Sequence, residues 1–312
     1  MILYFTIRQK STQSIHTLKV RMGGVQAKLR IYFSDMSSDH VDGANSAFDE
    51  IPDDIILEVF RRLPLNDLKS CFKVCKRFAA LLDMRGFWLQ KCVRDFKFSK
   101  NLLHSLGEEE DFRRLYIKRP YERNLMKNCD ASQDMKHWKV TKSGGDGWQV
   151  EKSPIGLHPL SQLTHTDGPV GCWATSYGSC HKYQIIDLLE VGCSEHVLDV
   201  VRPSIRVSEW YAARVDCAAK YVLKVALLKN NKKELFWKKT ITENCLYVAK
   251  EILSAGGDWF KAEHVFKDYP AGVRYIGFFH KGKDRQFWAG HFGAKFTFGS
   301  VVIDFSHTAL TE

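Results

Sequence analysis

Ile51-Pro52-Asp53-Asp54-Ile55-Ile56-Leu57-Glu58-Val59-Phe60-Arg61-Arg62-Leu63-Pro64-Leu65-Asn66-Asp67-Leu68 reads as two helices divided by a proline. Pro52 falls where a first helical turn needs no N–H, and Asp53 and Asp54 sit at the positive end of the helix dipole. Ile55, Ile56, Val59, Phe60 and Leu63 follow at helical spacing, and Pro64 ends the run. Leu65, Leu68 and Phe72 mark a second short helix; Val74, Phe78, Leu81 and Leu82 mark a third. Phe87, Trp88, Leu89 and Val93 extend the apolar set. A segment of about 45 positions cannot hide so many apolar side chains in a core of its own. The surplus predicts a helix-mediated interface with a partner.

Downstream the pattern changes twice. Residues 96–133 are charged and mostly helical in pattern, with an acidic run, Glu108-Glu109-Glu110-Asp111, read as a solvated helical face in a connector. From about Trp138 the period becomes two. Tyr221, Leu223, Val225 and Leu227 alternate with Val222, Lys224 and Ala226, and Arg274 to Phe279 is another β-like run. Phe296 and Phe298 precede Val301, Ile303 and Phe305, so the parity switches across Gly299-Ser300, as a bulge requires. Turns punctuate the region at Gly144-Gly145-Asp146-Gly147, Gly256-Gly257-Asp258, Pro270-Ala271-Gly272 and Lys281-Gly282-Lys283-Asp284. Many strands and few helices predict an antiparallel β-sandwich. The expected architecture is multidomain α+β: a small all-α domain over 49–95, a helical linker over 96–135, and a sandwich over 136–306. Residues 1–48 are expected to be a flexible or non-native extension, and 307–312 a tail.

Composition bounds the function. The chain has 312 residues, of which 45% are hydrophobic and 12% aromatic, enough for packed cores and unlike a disordered chain. No apolar run approaches the roughly 18 residues that span a bilayer, and Met1 to Ile7 is too short for a signal-peptide core. The nine cysteines are an odd, scattered set, and no Asn-x-Ser/Thr acceptor occurs. Both features fit a reduced cytosolic or nuclear chain, and a cytoplasmic one is expected. The net charge of +10 suggests nucleic acid until it is located: residues 1–35 hold six Lys/Arg against Asp35 alone, so half the excess lies there. Nucleic acid is therefore not expected as a partner. The same segment keeps no sustained period and reads as an isoform or gene-model extension ahead of Met36, or else as a targeting leader.

Catalytic and metal signatures are lacking. Cys71 and Cys75 are spaced i,i+4 with no second Cys or His pair nearby, so no metal is expected. Cys180-His181 lies in a strand, where neighbours point to opposite faces, so no nucleophile–base pair is expected. There is no phosphate loop, Gly-x-Ser-x-Gly elbow or His-Glu-x-x-His, and no cofactor is implied. The chain is expected to be non-catalytic. A carbohydrate-cleaving enzyme would need two carboxylates across a cleft, and Asp284 is the only acid near the late loop.

The helical segment resembles an F-box. It carries the family's hydrophobe–proline signature in Ile51–Leu68, its Val-Cys-Lys element as Val74-Cys75-Lys76 and its late Leu-Trp as Phe87-Trp88, with Phe78 where Trp is commoner. The resemblance implies docking onto a Skp-type adaptor, and through it a cullin–RING ubiquitin ligase, by way of Pro52, Ile56, Val59, Leu63, Pro64, Leu65, Leu68 and Val74. The second half resembles the F-box-associated domain of sugar-recognising F-box proteins. Matching stretches are Asn124-Leu125 to Asn128-Cys129, Gly144 to Trp148, Cys180-His181-Lys182 with Ile186-Asp187-Leu188, Trp210-Tyr211 with Arg214, Tyr269 with Gly272-Val273-Arg274, and Phe287-Trp288 with Gly290 and Phe292-Gly293. This resemblance implies a jelly-roll, galactose-binding-like sandwich of about ten strands with a glycan pocket in loops at one end.

Within that resemblance Tyr177 takes the place of an aromatic three residues before Cys-His-Lys, and Phe287-Trp288-Ala289 replaces a Tyr-Trp-Lys triplet. Aromatic faces stack on sugar C–H faces, while sugar hydroxyls need fixed polar partners. Here a phenol hydroxyl and an ammonium are missing. The implied client is a glycoprotein bearing high-mannose N-glycans, met in endoplasmic-reticulum-associated degradation; the alternative is a protein surface recognised without a glycan. Trp148, Trp210 and Trp259 are read as core.

Overall fold

The computed structural model describes residues 2–10, 13–22, 25–33, 51–98, 100–163, 170–229, 244–253 and 257–305. The expected lead-in over 36–48 and the tail over 307–312 lie outside the described residues. Contacts divide the chain into two units, Met1–Ile56 and Leu57–Glu312.

The first unit holds strands β1 (Ile2–Lys10), β2 (Gln13–Met22) and β3 (Val25–Phe33), an antiparallel three-stranded sheet in the order β1-β2-β3. These strands fall in the segment expected to be a flexible or non-native extension, and their backbone N–H and C=O groups pair across the sheet. This unit also contains the start of helix α1 (Asp53–Arg62), where the Pro52 carbonyl accepts from the Ile55 and Ile56 amides at 3.1 and 3.3 Å.

In the second unit Pro64 repeats that device. It sits extended (φ −68°, ψ 159°) and its carbonyl accepts from the Asp67 and Leu68 amides, starting α2 (Leu65–Cys71). Helices α3 (Lys76–Asp83) and α4 (Arg85–Phe96) follow, with the Cys75 thiol capping α3 through the Phe78 amide. Phe60 meets Phe78 edge-on at 5.0 Å, and Phe87 meets Trp88 at 5.2 Å. Helices α5 (Lys100–Ser105) and α6 (Phe112–Lys118) form the connector. The acidic run is not a helical face: it lies in the turn before α6, because the Asp111 carboxylate caps that helix through the Arg114 amide at 2.9 Å.

Ten strands make the sandwich: β4 (Lys139–Ser143), β5 (Gln149–Glu151), β6 (Cys172–Ala174), β7 (Cys180–Asp187), β8 (Ser204–Ala212), β9 (Ala219–Leu228), β10 (Cys245–Ile252), β11 (Phe260–Phe266), β12 (Tyr275–Asp284) and β13 (Lys295–Asp304). They form two antiparallel sheets, β10-β9-β12-β7-β4 and β11-β8-β13-β6-β5. The alternating run lies in β9: Tyr221, Leu223, Val225 and Leu227 are buried, and so are Lys224 and Ala226 of the other set, Ala226 in a cluster with Tyr183 and Phe279. The predicted parity switch is a register shift between Thr297 and Ser300, with Phe298 at φ +52°. Asn124 fills the gap it leaves in the ladder: its side chain donates to the Gly299 carbonyl at 3.0 Å and accepts from the Val301 amide at 3.0 Å.

Core tryptophans are Trp138 and Trp173, whose indole N–H groups donate to the Asn128 and Asp134 carbonyls. Trp148, Trp210 and Trp259, read from sequence as core, are half-buried instead, since they sit beside turns or on a strand's outward side. Among the described residues no helix is long and apolar enough to cross a membrane.

Candidate functional site

Antiparallel pairing brings five connections to one end of the sandwich: β4–β5, β6–β7, β8–β9, β10–β11 and β12–β13. Backbone hydrogen bonds join β4–β5, β6–β7, β8–β9 and β12–β13 directly. Gly144 donates to the Ser179 carbonyl, Asp284 to Ser176, Gly293 to Thr175 and Arg285 to Ala218, all at 2.9–3.1 Å. The β4–β5 and β6–β7 turns touch so closely that a Cβ on Gly178 would lie 2.4 Å from Gly144 and Gly145 backbone atoms, a contact only glycine permits.

The late loop projects its aromatics into solvent. Phe287 is 67% exposed and Trp288 45%, unusual values for large apolar side chains, and Ala289 is exposed beside them. Phe287 adopts φ +60°, and its amide donates to Asp284 Oδ1 at 2.8 Å. Lys283 Nζ lies 4.7 Å over the Phe287 ring. Trp288 packs edge-on against Phe292 at 5.5 Å, and the Arg214 guanidinium stacks 4.1 Å over Phe292. Arg214 is held by Asp216 in a two-pronged pair at 2.8 and 2.7 Å, and this partner keeps the Asp216 carboxyl below its ordinary range. Tyr177 is half-buried against Gly145, so the aromatic candidates occupy neighbouring loops of one end.

Charge beneath this end is buried and paired. Lys295 donates to both Glu151 oxygens at 2.5 Å, the two side chains being almost wholly out of water. Lys182 lies within 4.7 Å of the ring centres of Trp138, Trp148 and Trp173, and burial pulls its ammonium well below the usual lysine range. Cys180 points inward and His181 outward, as strand alternation requires. Burial raises the Cys180 thiol, and burial with Lys281 and Lys142 lowers His181 to about 4. Neither is poised as nucleophile and base.

Sequence reasoning missed Asp146, Ser176, Arg214, Asp216 and Phe292 as parts of this end. The Gly-Gly-Asp-Gly turn marked Asp146 as a turn residue, but its partner Gly290 lies 144 positions away, and no local pattern carries that.

In the helical domain the eight expected docking residues divide. Ile56, Val59, Leu63 and Leu68 are buried. Pro52 and Pro64 are exposed, and Leu65 and Val74 are half-buried. Phe72, at 37% exposure, is a further accessible apolar side chain that the expected set omitted.

Comparison with known proteins agrees with both halves. The F-box domain model matches residues 48–90, and the F-box associated region matches residues 116–303. The chain is 37% identical to F-box only protein 6 of Bos taurus over 261 residues, covering 82% of this chain and 93% of the relative. It is 35% identical to F-box only protein 6 of Homo sapiens over 273 residues (86% and 88%), and 34% identical to F-box only protein 2 of Bos taurus over 272 residues (85% and 87%). Among solved structures, TmCBM61 in complex with β-1,4-galactotriose aligns loosely, at TM-score 0.38 and 15% identity over 58% of this chain and 99% of that one. With both domain models matched in order and relatives covered almost end to end, the chain belongs to the F-box only proteins that carry an F-box-associated region.

Proposed function

We propose that this chain is the substrate-recognition subunit of an SCF-type cullin–RING ubiquitin ligase. Its helical domain docks on a Skp-type adaptor, using apolar side chains that its own fold leaves accessible. Its sandwich holds a glycoprotein client through the loop end built around Tyr177, Phe287 and Trp288. The chain works by proximity: holding the client raises the effective concentration of its lysines at the ubiquitin-charged enzyme, with no bond made or broken by this chain. High-mannose N-glycans of misfolded glycoproteins, met in the cytoplasm during endoplasmic-reticulum-associated degradation, are the client class.

One observation carries the sugar half of this reading. Two large aromatics stand exposed on a hydrogen-bonded loop, the arrangement that suits stacking on a sugar face. Ala289 favours a second reading, a protein surface recognised without a glycan, because an exposed methyl group offers sugar hydroxyls no partner.

A pull-down decides between them. The full chain is expected to retain a high-mannose glycoprotein, to release it after enzymatic deglycosylation, and to lose it in Trp288→Ala. Retention of the deglycosylated client would replace the sugar reading with the protein-surface one.

A further inference from the structure

A buried polar junction lies behind the exposed aromatics. Ser176 is fully buried, and its hydroxyl uses both of its roles: it accepts from the Asp146 amide at 3.0 Å and donates to the Gly290 carbonyl at 2.7 Å. The Asp146 carboxylate in turn accepts from the Gly290 amide at 2.5 Å. Both backbone groups of Gly290 are thus held by partners from other loops. Gly290 itself sits at φ +107°, a conformation side-chain-bearing residues rarely adopt. At the other end of the same four residues, Asp284 holds the Phe287 amide. Trp288 therefore lies in a segment pinned at both ends. Ser176 also precedes Tyr177, so one hydroxyl sets the base of both Tyr177 and Trp288.

We propose that Asp146 and Ser176 are positioning residues of the recognition loop: they fix Trp288 relative to Tyr177 without touching the ligand themselves. This rests on the sugar reading of the site given above. A free loop would have to order Phe287 to Gly290 on binding, and that entropy would subtract from affinity. Two carboxylates and one hydroxyl do the ordering beforehand.

The test uses the full chain, a high-mannose Asn-linked glycopeptide as probe, and amide hydrogen exchange at Phe287 and Gly290 as a readout that needs no ligand. Asp146 is exposed, so Asp146→Ala should leave Tm within about 2 °C of the parent. It should speed Gly290 exchange and weaken the glycopeptide, each by about five- to tenfold, the worth of one lost hydrogen bond. Asp146→Asn keeps an acceptor and should stay within about twofold of the parent on both readouts. Ser176→Ala should weaken the glycopeptide in the same direction but also lower Tm, because Ser176 is buried and gives up two hydrogen bonds; either variant combined with Trp288→Ala should add no further loss of affinity. Unchanged Gly290 exchange in Asp146→Ala, or faster exchange with unchanged affinity, overturns the positioning role. A parent chain that ignores the glycopeptide overturns the sugar reading instead, while the exchange readout still decides whether Asp146 holds the loop.

Discussion

His280 Nδ1 on β12 lies 2.6 Å from Glu209 Oε1 on β8, and this pair, wholly out of water, ties one sheet to the other. Tyr221 donates to the second Glu209 oxygen at 2.8 Å, and the imidazole stacks between Trp138 at 4.6 Å and Phe296 at 4.7 Å. Burial holds the imidazole below its usual pKa despite the neighbouring carboxylate. The unfolded chain therefore takes up the proton first as pH falls. Stability from this group is full above about pH 6.5 and is lost as pH drops below that value. His181, lowered to about 4, acts in the same direction and more weakly, being half-exposed. Tm measured at pH 7.5 and pH 5 should fall with acid, and the fall should be shallower in His280→Gln.

The Glu151–Lys295 pair gives a second test. Removing either partner strands a charge with almost no access to water. Lys295→Met or Glu151→Leu alone should cost about 3–5 kcal/mol in urea unfolding, and the two together should cost less than either, since no charge is then left unpaired. A double variant as unstable as the sum of the singles would contradict this account.

The helical domain separates packing from docking. Leu68 is 2% exposed, so Leu68→Ala should cost about 2–5 kcal/mol and lower Tm. Leu65 is half-buried, and Leu65→Asp should reduce recovery of a co-expressed Skp-type adaptor while leaving Tm close to the parent value. Co-purification and differential scanning fluorimetry on the same preparations check both outcomes.

Restoring the missing polar groups at the late loop should strengthen glycan recognition. Phe287→Tyr and Ala289→Lys each add a partner for sugar hydroxyls at an exposed position, and each should improve affinity for a high-mannose glycopeptide by about 0.5–1.5 kcal/mol, read by calorimetry. Neither should alter Tm, because both side chains point into solvent.

Much of the fold was legible locally. Pro52 announced the start of α1 and Pro64 its end; that Pro64 also starts α2 came from the structure, because a proline carbonyl can begin a helix that its ring cannot continue. The alternation at Tyr221 to Leu227 announced a strand, and the parity switch at Gly299-Ser300 announced the bulge. The tryptophans were less legible: Trp148, Trp210 and Trp259 carry the same composition signal as Trp138 and Trp173 but sit half in water. Side-chain size says that a residue favours burial; only packing says whether a cavity is there to receive it.

By itself, then, the order of residues determined a proline-started helical domain followed by a many-stranded sandwich; the resemblance to a known family, not the pattern of residues, is what pointed to Tyr177, Phe287, Trp288 and Ala289. The tertiary structure alone decided which apolar residues of the helical domain are spent on its own core, and which distant groups meet. Ser176 with Gly290, Glu209 with His280 and Glu151 with Lys295 are separated by 114, 71 and 144 positions. Contacts of that range come from strand order and register, and a helix or strand period, which reaches only a few residues along the chain, carries no record of them.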